Sequence, residues 1–327
     1  MLYIRNESTN PFFNLALEEY LFTLDDNNDY VLLWQNEPTI VVGKYQNTAE
    51  EINSEYVKEK GIHVVRRITG GGAVYHDLGN LNFTFINKGT GKKEFDFRKF
   101  TMPIVKALAR FGIKAELSGR NDITIDQKKF SGNAQYVKQG KVLHHGTLLF
   151  NSKMEELAKA LKVTEDKFQS KGIKSVRSRV TNIADYLSED ITVSEFKELL
   201  LKYMFDEDTE LIEGHLEAAG LNEINSLMKS KYMSWDWNYG ASPEFNVKQA
   251  KRFEGGKVEV LINVKNGIIH GIKFYGDFFG SGNPGEIEAL LIGKRYNEYE
   301  IRTALAGLDV NYYFKGISLE ELLSCIL

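Results

Sequence analysis

The chain has 327 residues, of which 43% are hydrophobic and 26% charged, and its formal net charge is −4. This length suits two domains, and the composition is that of a soluble globular protein with enough apolar residues for a sizeable core. The slight acidic excess argues against a general nucleic-acid-binding protein, because such domains carry a basic excess. The one cysteine, Cys325, excludes an internal disulfide and favours a reducing compartment.

The first residues show no charged-then-apolar signal pattern. No apolar run approaches the roughly 18 residues that a membrane-spanning helix needs. We therefore expect a cytoplasmic protein that does not span a membrane.

Helical and strand patterns alternate through the first 230 residues. Asn10 and Pro11 are typical of a helix N-cap and first position, and apolar residues at helical spacing extend this helix to residue 24. Residues 129–150 predict a hairpin that turns at Gln139-Gly140. The other predicted strands are 30–34, 39–43, 63–67, 82–85 and 122–126. The other predicted helices are 48–60, 97–111, 153–161, 193–204 and 222–230.

A boundary is visible at residues 231–245, where two tryptophans, a glycine and a proline separate a helical run from a new β pattern. Beyond it, residues 257–276 predict a hairpin with Asn266-Gly267 at the turn. Short helices are predicted near 285–292, 298–306 and 319–325. We therefore predict two domains, residues 1–240 and residues 241–327.

Three consecutive glycines form the first candidate site. Residues 66–85 read RRITGGGAVYHDLGNLNFTF, which lacks both the Gly-Lys-Ser/Thr ending of a Walker A loop and the G-x-G-x-x-G pattern. Glycines leave their amide groups uncovered, and successive amides form a concave anion site. Arg66 and Arg67 precede the glycines and face opposite ways on a strand, so one of them points into such a site. A glycine-rich hairpin turn with two solvated arginines explains the same residues equally well.

A lysine before Ser-Gly forms the second candidate site. Lys129 precedes Phe130-Ser131-Gly132, and a lysine there places its ammonium over backbone that a phosphate can approach. For any one lysine a solvated strand position is the commoner explanation. We predict that explanation for the adjacent Lys128, which points to the other face.

Adjacent histidines in HHGTLLF, residues 144–150, form the third candidate site. His144 and His145 diverge on a strand, and no Cys or His cluster completes a tetrahedron, so the pattern does not predict a metal site. Two structural strand histidines, one of them buried and hydrogen-bonded, are the alternative explanation. His76-Asp77 is equally weak as a metal site.

Together these motifs resemble those of the lipoate–protein ligases. RRITGGGAVYHDLGN, RND…KKFSGNAQ, HHGTLLF and KGIKSVRSRVTNI (171–183) occur in that family's order and spacing within residues 1–240, and the remaining segment is similar to the small accessory domain of bacterial ligases of this length. The resemblance implies an α+β fold. It comprises a mixed sheet flanked by helices, like the catalytic core of biotin ligases and class II aminoacyl-tRNA synthetases, plus a small α+β C-terminal domain.

The resemblance also implies a reaction in two steps. The carboxylate of lipoate attacks the α-phosphate of ATP, with Mg²⁺ present, to give lipoyl-AMP and pyrophosphate. A lysine of an acceptor protein then attacks the mixed anhydride and releases AMP. The implied acceptors are lipoyl domains of 2-oxoacid dehydrogenase E2 subunits and the glycine cleavage H protein, with no nucleic acid or membrane as a partner.

Residue roles follow from the same resemblance. Lys129 is the implied catalytic residue, which contacts the acyl carbonyl and the α-phosphate and suits this task as a compact point charge. Asp122 is the implied magnesium ligand, since a carboxylate plus phosphate oxygens suits Mg²⁺. The implied lipoate-binding residues are Arg67, Thr69, Gly70, Gly71, Gly72, Ala134 and His145. The implied ATP-binding residues are Tyr75, His76, Asn80, Asn121, Asp122 and Lys129. Candidates for an apolar acyl tunnel are Trp34, Val42 and Val74, although core packing is the stronger explanation for each.

Other functions are disfavoured to different degrees. An ATP-independent octanoyl or lipoyl transferase of the same fold is the main alternative; its cysteine-using members need a thiol at the site, whereas Cys325 lies in the accessory segment. A biotin ligase that doubles as a repressor is disfavoured because the Gly-Arg-Gly-Arg loop is absent and no basic helix-turn-helix precedes residue 60. A non-enzymatic lipoate-binding protein is disfavoured by the joint presence of Lys129, Asp122 and the glycine loop. We further expect residues 169–183 to form a loop that orders over the adenylate.

Overall fold

The computed structural model describes residues 1–88, 96–119, 121–161, 180–205, 211–240 and 245–327. The chain forms two compact units. The first unit consists of Met1–Val41, Ala49–Val65 and Val74–Ser234, and the second unit consists of Val42–Thr48, Arg66–Ala73 and Trp235–Leu327. Two short segments from the first quarter of the chain therefore belong to the same unit as the C-terminal residues. The domain limits 1–240 and 241–327 stay a prediction, and the predicted loop 169–183 lies outside the described residues as far as residue 179.

The first unit is built on an eight-stranded mixed sheet. Its strands are β1 (Leu2–Ile4), β2 (Tyr30–Trp34), β6 (Asn80–Lys88), β7 (Glu116–Ser118), β8 (Asp122–Ile125), β9 (Lys128–Lys138), β10 (Lys141–Leu149) and β11 (Ile212–Gly214). They lie in the order β11-β1-β2-β6-β10-β9-β8-β7; β11, β1 and β2 are parallel to one another, and the remaining pairs are antiparallel. A three-stranded sheet contains β3 (Thr39–Val42), β4 (His63–Arg66) and β5 (Val74–His76).

Helices flank the large sheet. The first helix begins where the Asn10 side chain accepts hydrogen bonds from the amides of Phe12 and Phe13, as the Asn-Pro pair predicts. The predicted helix 48–60 is instead two helices, because Ile52 forms a β-bridge to Leu161 and Asn53 caps the second helix. The helices of this unit are α1 (Pro11–Thr23), α2 (Thr48–Glu51, which begins in the second unit), α3 (Ser54–Lys60), α4 (Phe97–Arg110), α5 (Met154–Ala160), α6 (Val193–Met204) and α7 (Ala218–Leu227). A 3₁₀ turn at Ala184–Tyr186 and a π-helical turn at Met228–Tyr232 complete the unit.

The two faces of the sheet carry different helices. On β6, Phe85 lies 6.0 Å from Phe100 of α4, measured between ring centroids, within the main apolar core. The adjacent Thr84 points to the opposite face, where its hydroxyl donates to Glu18 of α1. Because side chains alternate along a strand, the apolar core lies on the α4 face, and polar side chains collect beneath α1.

Tight turns set the register of the strands. The predicted hairpin at Gln139-Gly140 is confirmed, with φ of 51° and 75° at the two residues. A second turn of the same kind, at Asp126-Gln127 with φ of 48° and 65°, joins β8 to β9. The sequence did not predict this turn because it contains no glycine.

The second unit is a three-stranded antiparallel sheet covered by short helices. Its predicted hairpin turns at Asn266-Gly267, with φ of 54° and 74°. The strands and helices are β12 (Val247–Phe253), β13 (Gly256–Lys265), β14 (Ile268–Gly276), α8 (Trp235–Asn238), α9 (Pro284–Leu291), α10 (Glu298–Leu305), α11 (Val310–Tyr313) and α12 (Leu319–Ile326). The predicted α+β class, with a mixed sheet flanked by helices and a small C-terminal α+β unit, is confirmed. Among the described helices, none has the length and apolar character needed to cross a membrane.

Candidate active site

Lys129 and Asp122 form the centre of the site in the first unit. The Lys129 ammonium lies 2.8 Å from the Asp122 carboxylate, and both side chains are partly exposed, at 37% and 24%. The neighbouring Lys128 is exposed, as predicted. The structure therefore distinguishes the two lysines: one is held by a carboxylate at a fixed place, and the other is solvated.

A β-bulge places the Lys129 side chain. Thr124 pairs with Lys129 whereas Ile123 pairs with Ser131, so Phe130 is an extra residue in β9. The extra residue reverses the alternation and brings Lys129 over Gly132, three positions further along the strand. A β carbon at Gly132 would lie 2.9 Å from the Lys129 nitrogen, so a side chain there would displace the ammonium from this position.

Backbone groups around Lys129 come from three segments. The Gly132 amide donates to the Thr147 hydroxyl at 3.1 Å, and the Asn121 side chain donates to the Asn133 carbonyl at 2.7 Å. The Thr181 amide donates to the Lys129 carbonyl at 3.0 Å. The last residues of the motif at 171–183 are thus brought beside the lysine, while residues 171–179 lie outside the described ranges.

Ala134 and His145 lie opposite each other on the β9–β10 ladder. His145 is 8% exposed, and its Nδ1 lies 3.0 Å from the carboxylate of Glu18, which is 2% exposed. Thr84 donates to the same carboxylate and accepts a hydrogen bond from the Trp34 indole at 2.9 Å. Hydrogen bonds through Thr84 and Glu18, which the sequence analysis did not identify, therefore connect the predicted lining residues Trp34 and His145. The sequence signal that could have found Glu18 is its helical spacing from Leu15, Leu21 and Phe22, because a carboxylate on the apolar face of a helix needs a partner.

His144 points the other way, into the core beneath α4. Its ring stacks on Phe100 at 5.1 Å and on Phe83 at 5.7 Å. Burial, with the nearby His145, holds the pKa of His144 well below its ordinary value. Gln135 donates to Nδ1 and Asn133 accepts from Nε2, an arrangement that suits the neutral imidazole. The expectation that the two histidines diverge is confirmed, and His144 is a structural residue.

Three of the predicted ATP-binding residues, Tyr75, His76 and Asn80, lie where β5 leads into β6. Tyr75 is 4% exposed, and burial raises the pKa of its hydroxyl. His76 accepts at Nδ1 from the Asn36 amide at 3.1 Å, and its ring lies 6.2 Å from that of Trp34. Asn80 is fully buried and donates to Asn82 at 3.0 Å. Val74, next to Tyr75, is partly exposed.

The glycine loop belongs to the second unit. Arg67 is 6% exposed, and its guanidinium donates to the Thr69 hydroxyl at 2.8 Å and to the carbonyls of Gly70 and Gly72 at 2.7 and 2.9 Å. Of the three glycines, Gly71 has a positive φ, of 90°. The arginine therefore holds the loop in one shape from within.

Arg66 has a different task in the same unit. Its guanidinium donates to the carbonyls of Gly43, Gln46 and Trp237 at 2.7–2.8 Å and to the Thr48 hydroxyl at 2.7 Å. Burial lowers the pKa of Arg66 to about 10, which leaves it charged at neutral pH. The two arginines diverge as predicted, and both are buried, so the alternative of two solvated arginines is wrong. Val42, the other predicted lining residue in this unit, is fully buried.

No group of three His, Cys, Asp or Glu residues in the described part of the chain is arranged to hold a metal ion. Asp122 is a single carboxylate that already contacts Lys129. A single carboxylate fits Mg²⁺ when phosphate oxygens of a bound substrate supply further ligands. The carboxylate present in the described part of the chain therefore suits a metal that arrives with a nucleotide.

Family models match most of the chain. A model described as the lipoyl protein ligase A/B catalytic domain matches residues 10–205, and one described as the bacterial lipoate protein ligase C-terminus matches residues 242–326. The lipoate-protein ligase LplJ of Bacillus subtilis is 48% identical over 330 residues, covering 100% of both sequences. Lipoate–protein ligase 1 of Staphylococcus aureus is 46% identical, covering 97% of both.

Solved structures agree with these relatives. P. falciparum LipL1 in complex with lipoate has a TM-score of 0.80 and 30% identity, covering 100% of this chain and 99% of that chain. A lipoate-protein ligase A bound with ATP has a TM-score of 0.63 and 27% identity, covering 73% of this chain and 98% of that chain. The fold, the lysine site and these matches define an enzyme of the ligase class. The chain belongs to the lipoate–protein ligase family.

Proposed function

We propose that this protein attaches lipoate to a lysine of acceptor lipoyl domains in two steps, through lipoyl-AMP. In the first step a carboxylate oxygen of lipoate attacks the α-phosphorus of ATP, and the bond to pyrophosphate breaks. In the second step the acceptor amine attacks the acyl carbonyl, and AMP leaves. The observation that carries the proposal is the Lys129 ammonium, held 2.8 Å from Asp122 over a glycine that leaves the strand backbone open.

Adenylation brings two anions together, so the site must supply positive charge and fixed positions. Lys129 supplies that charge, since a compact ammonium with three donors can contact the acyl oxygen and an α-phosphate oxygen at once. The Asp122 carboxylate and the bulged strand hold it in place, so little reorganisation is needed when charge develops in the transition state.

The remaining predicted residues divide between the two substrates. In our proposal Asp122 and Asn121 face the polyphosphate, with Asp122 as a ligand of the Mg²⁺ that accompanies ATP. Tyr75, His76 and Asn80 contact the nucleotide. The proposed lipoate-binding residues are Arg67, Thr69, Gly70, Gly71, Gly72, Ala134 and His145.

The register of the sheet gives the acyl site a direction. Lys129 lies over Gly132, near Thr147, while Ala134, two residues further along β9, pairs with His145. Two residues of a strand span about 7 Å, which suits an extended acyl chain running from the reacting carboxylate at Lys129 towards His145. We propose that Trp34 and Glu18 lie at the far end of that path.

Partners and organisation extend the proposal. We propose lipoyl domains of 2-oxoacid dehydrogenase E2 subunits, or the glycine cleavage H protein, as acceptors. An archaeal bi-partite lipoate protein ligase, described with its E2 lipoyl domain, supports an E2 lipoyl domain as the acceptor. That structure has a TM-score of 0.64 and 28% identity, and it covers 75% of this chain. We also propose catalytic and accessory domains at 1–240 and 241–327, and a cytoplasmic location consistent with the lone buried Cys325.

The test is lipoate-dependent release of pyrophosphate in the absence of any acceptor. We expect release with ATP, Mg²⁺ and lipoate alone, because adenylation precedes transfer. Addition of each acceptor, followed by intact mass, then identifies the protein that gains a lipoyl group. Pyrophosphate that appears only with acceptor, or transfer that proceeds without ATP, would contradict the two-step ligase and favour the ATP-independent transferase.

A further inference from the structure

The three glycines of the loop have different surroundings. A β carbon at Gly70 would lie 2.4 Å from the Phe278 carbonyl oxygen and 3.2 Å from Phe279. At Gly71 it would lie 3.1 Å from the Phe279 ring, and the φ of 90° disfavours any side chain there. At Gly72 it would meet no atom of the described residues within 4 Å. Contacts within the protein therefore explain the first two glycines and leave the third unexplained.

Phe278 and Phe279 form the surface on which the glycine loop packs, here called the seat. Phe278 is fully buried and stacks on Tyr45 at 4.8 Å, with the two rings 11° from parallel. Phe279 is 2% exposed, and its carbonyl accepts from the Lys315 amide at 2.8 Å. Phe278 belongs to the apolar cluster of the second unit, and Phe279, the next residue, is buried as well.

The loop is held from its other side as well. A β carbon at Gly43 would lie 1.9 Å from the Gly71 carbonyl oxygen, and the Lys44 amide donates to the Thr69 carbonyl at 2.8 Å. Arg67 ties Thr69, Gly70 and Gly72 together through one guanidinium. A displacement of the seat must therefore move Gly72 together with the rest of the loop.

We propose that Phe279 is a positioning residue for the acyl substrate, and that Gly72 is the one glycine of the triplet whose missing side chain is reserved for that substrate. Gly70 and Gly71 are small so that the loop can rest on Phe278 and Phe279. This inference rests on the proposed function, because it takes lipoate as the molecule that approaches Gly72. It adds a residue of the C-terminal segment to those that determine how lipoate binds.

The seat is tested by Phe279→Leu, with Phe274→Leu as the matched control. Phe274 is also 2% exposed and lies in the apolar cluster of the same unit, and it is not among the nearest neighbours of a β carbon at any of the three loop glycines. We expect Phe279→Leu to raise the KM for lipoate by about tenfold or more, since small displacements of a positioning group have effects of this size. The KM for ATP should change much less. Phe274→Leu should lower the Tm by a similar amount and leave the KM for lipoate unchanged.

Hydrogen exchange separates this inference from the proposed function. Amides 67–73 should exchange faster in Phe279→Leu than in Phe274→Leu, whatever the activity of the protein. Equal exchange in the two variants, or equal KM for lipoate, would overturn the role of Phe279. Absence of lipoate-dependent pyrophosphate release from the unaltered protein would instead contradict the proposed function, while the exchange result would still decide the seat.

The glycine assignment is tested by Gly72→Ala, with Gly271→Ala as control. Among the residues that the structure describes, neither added β carbon meets an atom closer than 3.8 Å, so both variants should keep the Tm of the unaltered protein. We expect Gly72→Ala to raise the KM for lipoate about tenfold or more, because an added methyl occupies the space of the substrate. Gly271→Ala should have no effect. An unchanged KM for lipoate in Gly72→Ala would refute the assignment.

Discussion

The Lys129 ammonium and the Asp122 carboxylate lie 2.8 Å apart because one extra residue in β9 turns Lys129 to the side of the sheet where Asp122 stands. Asp122 pairs with Gly132, and the bulge at Phe130 lets Lys129 reach that same position. The charged centre of the site is thus a consequence of strand register. It depends on the turn at Asp126-Gln127, which joins the two strands.

Lys129→Ala should abolish adenylation and leave the fold intact. Loss of one preorganised charge contact to a transition state costs about 3–4 kcal/mol, or a few hundredfold in rate. Lys129→Arg should also be poor, because a planar guanidinium does not replace a compact ammonium between two ligands. Lipoate-dependent pyrophosphate release measures the effect, and circular dichroism checks folding.

Lys128→Ala is the matched control for this experiment. Lys128 is exposed one residue away, so its loss should leave the rate nearly unchanged. Similar activity in Lys128→Ala and Lys129→Ala would show that Lys129 is not the adenylation residue.

Asp122→Asn should weaken the binding of Mg²⁺ without much destabilising the fold. The ion pair with Lys129 is partly exposed, so its loss costs at most about 1 kcal/mol of stability. Removal of the proposed metal ligand should lower the rate at least about tenfold and raise the Mg²⁺ concentration needed for half-maximal pyrophosphate release. Asp126→Asn, at a turn position that asparagine tolerates, is the control. An unchanged Mg²⁺ titration in Asp122→Asn would remove Asp122 from the metal site.

Glu18→Ala should strongly destabilise the first unit. Glu18 is 2% exposed and accepts from both His145 and Thr84, so its removal takes away the acceptor of two buried donors. Leaving a buried donor without its acceptor costs about 1–3 kcal/mol for each donor. Glu18→Gln keeps an acceptor oxygen and a similar volume and should cost about 1 kcal/mol. Urea unfolding measures both variants, and equal losses would mean that the negative charge of Glu18 decides its contribution, rather than its acceptor oxygen or its volume.

His144 should make the protein less stable as the pH falls below the ordinary histidine range. Its pKa is lowered in the folded state, so the unfolded chain takes up a proton below about pH 6.5 while the folded chain does not. The contribution of the neutral His144 to the free energy of unfolding is fully present above pH 6.5. It is lost at up to about 1.4 kcal/mol per pH unit as the pH falls.

His144→Gln removes this titration while it keeps hydrogen-bonding groups near Asn133 and Gln135. The free energy of unfolding of this variant, followed by urea titration between pH 7 and pH 5, should fall less steeply than that of the unaltered protein. Parallel curves would contradict a neutral, buried His144.

Hairpin turns and capped helices could be predicted from the sequence because the residues that favour them are near neighbours in the chain. The Gln139-Gly140 and Asn266-Gly267 turns supply the residues that left-handed backbone favours, and the structure has hairpins at both. The helix predicted at 193–204 is Val193–Met204, where Thr192 and Glu195 form a capping box. The motifs around Lys129 and the glycine loop identified the family because several stretches occur in one order.

What the tertiary structure decided depends on partners far apart in the chain. The bulge that aims Lys129 exists only when β8 and β9 pair, and Glu18 meets His145 across 127 positions only when α1 covers the sheet. The loop at Thr69–Gly72 rests on Phe278 and Phe279, about two hundred residues later, and so two of its glycines serve packing within the protein. The sequence by itself determined which short elements form and which family they mark, since backbone preferences and turn chemistry act between near neighbours. Register, burial of charge and close packing of backbone are properties of pairs of distant segments, and they are decided only when the chain folds.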